Sequence, residues 1–122
     1  MYTESIETEV RLCMAALETA WNQADLESVM AQYGVSFTCC CLAQRFEYAQ
    51  YMKELQSLFS KPDRSQLRIS IRSIRSIGPA AALVEGDIRE TFKDREVNAL
   101  MTVIYQRSGA HCKLTHAHTS YA

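Results

Sequence analysis

The chain has 122 residues, of which 48% are apolar and 22% charged, with a formal charge of -1 and a pI near 6.3. These totals describe one globular domain over residues 1–122 and exclude a polybasic surface that would capture nucleic acid by releasing counterions. No run approaches the roughly 18 apolar residues of a membrane span, and the acidic opening MYTESIETEV lacks the apolar core of a secretory signal. The expectation is a cytoplasmic protein with no membrane partner.

The first element is a helix. Ile6, Val10, Cys13, Met14, Leu17 and Trp21 recur at three- and four-residue steps and form one apolar stripe. Thr3 or Ser5 caps it, and Glu4 and Glu7 suit the positive end of its dipole. A second, short helix follows in ADLESVMAQYG, with Asp25 as N-cap, Leu26, Val29, Met30 and Tyr33 inward, and Gly34 as its stop. VSFTCCCL is rich in strand formers and enters a sheet. EYAQYMKELQSLFSK returns to helical spacing with Tyr48, Tyr51, Met52, Leu55, Leu58 and Phe59 inward, and KPD ends it.

From Ser65 the period changes to two. Leu67, Ile69 and Ile71 alternate with Arg68, Ser70 and Arg72, and the phase then slips, which predicts a bulge near Ser73. GPAA turns the chain, and ALVEGDIRETF, EVNALMTVIYQR and HCKLTHAHTS supply three more strands with turns near KDRE and SGAH. Helices first and strands afterwards predict an α+β fold, the helices packed on one face of a curved antiparallel or mixed sheet.

The five cysteines include no C-x-x-C pair. Adjacent residues of a strand point to opposite faces, so Cys39, Cys40 and Cys41 cannot converge three thiols on one ion. They read as ordinary buried or half-buried thiols, with a reactive or redox role as the alternative.

Element order and particular residues resemble the nuclear transport factor 2-like superfamily, especially the SnoaL-like small proteins and the association domain of calcium/calmodulin-dependent kinase. Trp21, Asn22, Asp25, Leu26 and Tyr33 match its W-N-x-x-D-L…Y turn. Thr102, Tyr105, Arg107 and Gly109 match the strand–turn before the last strand, and His116, His118 and Ser120 match its H-x-H-x-S ending. The resemblance implies a cone in which the sheet wraps the first helix and encloses a pocket. It also implies homodimerisation through the sheet. Where the family often has tryptophan ahead of a basic residue in the last strand, Cys112 precedes Lys113 here, which leaves room for a wider pocket.

Strict alternation puts Cys112, Leu114, His116, His118 and Ser120 on one face, with His116 and His118 roughly 6.6 Å apart. Nothing supplies a third and fourth ligand at metal-site spacing, so no metal or cofactor is expected. The histidines are either proton carriers bordering the cavity or structural groups bonded to neighbouring strands. Their partners in a cone would come from Asp25, Tyr33, Tyr51, Glu85, Asp87 and Tyr105. By resemblance Arg89 lines a carboxylate-holding pocket; its alternative is a solvated or dimer-facing position beside Glu85 and Asp87. Trp21, Tyr33, Phe37, Tyr51, Leu55, Phe59 and Tyr105 are expected around the ligand, or else as plain core.

Two functions follow. One is binding of a small, largely apolar ligand, with acid–base chemistry of the isomerase, cyclase, dehydratase or epoxide-opening kind, in which His116 and His118 move protons and Asp25 or Tyr33 orients the substrate. The other is a non-catalytic association, oligomerisation or ligand-sensing module.

Overall fold

A computed structural model of the protein describes residues 5–41 and 43–122. The expected roles of Thr3, Glu4 and Leu42 fall outside the described residues. Helix α1 (Ile6–Asn22) buries Ile6, Val10, Met14, Leu17 and Ala20 along one stripe, and the Ser5 hydroxyl caps it by accepting from the Thr8 N–H at 3.2 Å. Ala24 takes a positive φ of 61° to turn the chain, and Asp25 then caps the short helix α2 (Leu26–Met30).

The second helix is shorter than expected. It ends at Met30, and Tyr33 and Gly34 open strand β1 (Tyr33–Cys41), where Tyr33 is buried and pairs in parallel with Leu114. The short strand β2 (Gln44–Glu47), not anticipated above, folds back antiparallel on β1. Its last residue joins Gln50 in a capping box that starts α3 (Tyr48–Ser60). The long strands β3 (Gln66–Ser76), β4 (Ala81–Thr91), β5 (Glu96–Ser108) and β6 (His111–Tyr121) complete a six-stranded sheet in the order β2-β1-β6-β5-β4-β3. All neighbours are antiparallel except β1 and β6, so the sheet is mixed. Among the described residues, no helix is long and apolar enough to cross a membrane.

Polar side chains hold α1 at both ends. The Glu18 carboxylate accepts from the Ile69 N–H at 2.6 Å. Asn22 accepts from the Leu67 N–H at 2.6 Å and donates to the Leu67 carbonyl at 2.9 Å. These contacts engage backbone groups of β3, which lies at the sheet edge, where unpaired groups invite association. Near the start of the helix, Arg107 Nε donates to Glu9 at 2.7 Å and its Nη1 to the Pro79 carbonyl at 3.0 Å, with the guanidinium side chain only 6% exposed.

Bulges curve the sheet. The predicted slip in β3 falls between Ile71 and Ser73, opposite Gly86 and Glu85. A Cβ on Gly86 would stand 2.3 Å from the Ser70 carbonyl oxygen and 2.9 Å from Met101 Cε, so this residue type is required where β3 presses in. A second shift, in β6, lies between the pairs Ile104–His116 and Tyr105–Leu114, which leaves Thr115 as the extra residue.

Two outcomes are expected in urea denaturation. Gly86→Ala lowers the unfolding free energy by about 2–3 kcal/mol, because backbone rather than a flexible side chain must yield. Asn22→Ala costs about 2 kcal/mol by stranding both polar groups of Leu67, and it accelerates amide exchange at Leu67.

Candidate functional site

Between α1, α3 and the concave face of the sheet lies a cavity of about 440 Å³. Helix α1 contributes Met14, Leu17 and Trp21, and the sheet contributes Met101, Val103 and Leu114. Tyr33 and Phe37 enter from β1, Phe46 from β2 and Tyr51 from α3. These rings form one cluster: Tyr33–Phe37 centroids are 4.7 Å apart, Tyr33–Tyr51 5.3 Å and Phe37–Tyr51 5.1 Å. Burial pushes the Tyr33 phenol up to about 12 and Tyr51 well above its ordinary value, so both are neutral hydrogen-bonding groups near neutral pH.

Of the eight expected ligand contacts, Trp21, Tyr33, Phe37 and Tyr51 come together around this cavity. Leu55 is wholly buried in the core behind them. Phe59 packs edge-on against Trp21 at 5.0 Å and borders a small neighbouring cleft. Tyr105 is fully buried, its hydroxyl without a hydrogen-bond partner among the described residues. Arg89 lies on the opposite face of the sheet, beside Glu96 at 3.7 Å. There Arg72–Asp87 and Arg75–Glu85 pairs at 3.2 and 3.3 Å flank it, so the EGDIRE carboxylates serve the outer surface.

The histidines are not on the cavity wall, and the expected face is corrected. The extra residue at Thr115 reverses the alternation of β6. Cys112 and Leu114 point inward before it, and Ala117, Thr119 and Tyr121 line the cavity after it. His116 and His118 therefore project from the outer face. His116 Nδ1 is hydrogen-bonded to Thr38 Oγ1 at 3.0 Å, and His118 is exposed in register with Cys40 and Thr102. Asp25 is also remote from the cavity. It is fully exposed and accepts from the Ser28 hydroxyl at 2.6 Å and the Ser28 N–H at 3.2 Å, bonds that lower its pKa.

Beyond the phenols of Tyr33 and Tyr51, the polar groups that reach the cavity were not among the expected site residues. Glu90, half-buried on β4, accepts from Ser65 Oγ at 2.8 Å. Ser65 in turn accepts from Trp21 Nε1, at 3.3 Å through its hydroxyl and 3.2 Å through its carbonyl. The signal for Glu90 was present in the sequence, since it keeps step with the apolar Val84 and Ile88 at two-residue spacing. Gln44 on β2, Glu54 on α3, Cys41 on β1, and Thr119 and Tyr121 on β6 complete the polar lining. A carboxylate fixed by a serine, facing neutral phenols across an apolar space, can hold a polar end of a ligand or move a proton. Among the described residues, no three His, Cys, Asp or Glu side chains gather as a metal site.

No protein-family model matches the chain, and no curated protein matches it. Solved structures do. A nuclear transport factor 2-like protein of unknown function from Shewanella oneidensis superposes with a TM-score of 0.84 at 18% identity, over 93% of this chain and 98% of that one. A ketosteroid isomerase-like protein from Erwinia carotovora gives 0.80 at 16% identity over 98% of both chains. A putative calcium/calmodulin-dependent protein kinase type II association domain from Thiobacillus denitrificans gives 0.76 at 19% identity, over 90% of this chain and 92% of that one. With the helix-lined cone and the six-stranded mixed sheet, these likenesses show that the chain has the nuclear transport factor 2-like fold.

Proposed function

We propose that the protein binds a small, largely apolar ligand between α1 and the sheet, with Glu90 as the acid–base group of the site. The cavity of about 440 Å³, apolar over most of its wall and lined by Trp21 and Glu90, which the buried Ser65 links behind the wall, carries this reading. A ketosteroid isomerase-like neighbour supports proton transfer as the reaction class. In that chemistry Glu90 takes a proton from an activated carbon, and a phenol of the Tyr33–Tyr51 pair polarises the acceptor oxygen. The five free thiols suit a reducing compartment such as the cytoplasm.

A second reading, association through the outer face, draws on the Leu83–Ile104 pair and on Leu100, which lies beyond the Glu85–Thr102 row there and is 40% exposed. A putative kinase association domain among the neighbours supports it. We propose a homodimer through this face; it leaves the cavity on the opposite side free.

The chain has a single tryptophan, which reports on the cavity it lines. Anilinonaphthalene sulfonate should bind with energy transfer from Trp21, and Ala117→Phe should weaken that binding at least tenfold by filling the cavity while the circular dichroism spectrum is retained. Unchanged affinity in Ala117→Phe would overturn the binding reading. With 5-nitrobenzisoxazole, whose ring opens on proton removal from carbon, Glu90→Gln should lower the protein-catalysed rate at least tenfold. An equal rate would remove Glu90 from the proton-transfer role. In sedimentation, Leu100→Glu should convert a dimer to a monomer; a species of unaltered mass would reject that interface.

A further inference from the structure

Strand β1 brings a group to the cavity that proton transfer at Glu90 does not use. Cys39 and Cys41 are two residues apart on its inward face, while Cys40 between them points outward in register with His118. Cys39 is 2% exposed and belongs to the core, whereas Cys41 lines the cavity. Pairing with β6 sets Cys41 beside Thr119, which lines the same wall. Strand alternation puts the two thiols on one face, and the parallel register sets Cys41 and Thr119 side by side on the cavity wall.

The pair is asymmetric. The hydrogen bond to Cys41, followed by burial, pushes the Cys39 thiol up, so it keeps its proton and acts as a donor. Cys41 is drawn down, first by that donor and also by the neighbouring Thr119 side chain, against the opposing effect of desolvation. Burial pushes Cys112 up to about 11 and also raises Cys13, so neither competes as a thiolate near neutral pH. A disulfide within the pair is disfavoured, because parallel side chains two apart on an extended strand hold their Cβ atoms roughly 6.6 Å apart, beyond the ~3.5–4.5 Å that a disulfide requires. The arrangement is that of one nucleophile and its donors.

We propose that Cys41 is a nucleophile that adds to an apolar α,β-unsaturated carbonyl compound held in the cavity, with the Cys39 thiol and the Thr119 hydroxyl stabilising its thiolate. This inference rests on the ligand-binding reading above and names a ligand class for the same site. The match is one of softness and surroundings. A thiolate prefers the polarisable conjugated carbon, and the wall around it is largely apolar. The Tyr33 and Tyr51 phenols line the same cavity as Cys41 and are the hydrogen-bond donors it offers to a developing enolate oxygen. In the step, a sulfur lone pair forms the S–C bond at the β-carbon while the C=C electrons move to the carbonyl oxygen. The proton given up by Cys41 then returns at the α-carbon. The sum is addition of S–H across C=C, with no leaving group and no oxidant.

N-phenylmaleimide, an apolar conjugated imide, tests this by intact mass and peptide mapping on the full chain. Near pH 7 the first adduct should form at Cys41, at least tenfold faster than at the outward Cys40. The Cys41 rate should level off below the pH of about 8.5 at which an ordinary thiol titrates, and anilinonaphthalene sulfonate should slow it without slowing Cys40. Cys39→Ala and Thr119→Val should each slow the reaction and move its pH midpoint upward, and Cys39→Ser and Thr119→Ser should restore it. Cys40→Ser should leave Cys41 labelling intact. First modification at Cys40 or Cys112, or a Cys41 rate indifferent to both pH and the competing dye, would overturn the inference. If dye binding with transfer from Trp21 persists but Cys41 forms no adduct, the nucleophile is rejected and the ligand site stands. Absence of dye binding rejects both.

Discussion

The seat of α1 is the constraint on which the rest of this molecule depends. Its apolar stripe fills the concave side of the sheet, but apolar burial alone does not fix how far a helix slides along its groove. Polar anchors at the two ends do. Glu9 meets the buried Arg107 guanidinium, and Glu18 and Asn22 take up the backbone of β3. A buried ion pair of this kind adds little net stability, yet it penalises any register that breaks it. With the helix held lengthwise, Met14, Leu17 and Trp21 stand over the cavity rather than in it. The space beneath is kept by the placement of the helix.

Much of this architecture was legible in the residues. The apolar steps of α1, the Asp25 cap, the slip near Ser73 and the period-two strands all rest on local chemistry that a sequence displays. The W-N pair was also visible, and its reason is now physical: Trp21 and Asn22 are the groups that bind the β3 segment. The end of the second helix was misread because Tyr33 satisfies helical spacing equally well. Parallel pairing with β6 decides its state, and that is a contact at long range. The short strand β2 has too few residues to show a period.

The site was less legible than the fold, for one reason above others. Thr115 is a good strand former, and nothing in the composition around it marks a bulge, yet the extra residue exchanges the inner and outer faces of everything beyond it. Trp21 and Tyr51 reach the cavity from α1 and α3, where helical spacing gave the phase, whereas Tyr33 reaches it from a strand although helical spacing had assigned it to α2. The charged side chains divided similarly. Glu85, Asp87 and Arg89 form exposed pairs on the outer surface, of small energetic weight. Glu90, one step out of phase with them, faces the cavity.

The bulge in β6 also bears on how chains of this shape should be compared. The H-x-H-x-S run is the most recognisable string in the strand, and it belongs to the outside. Interleaved with it are Ala117, Thr119 and Tyr121, which look unremarkable in a sequence and face the cavity. Two proteins that share the visible signature can therefore differ wholly in what they hold, and two that hold the same compound need not share it. Kinship of surface and kinship of chemistry are written in alternate letters of one strand.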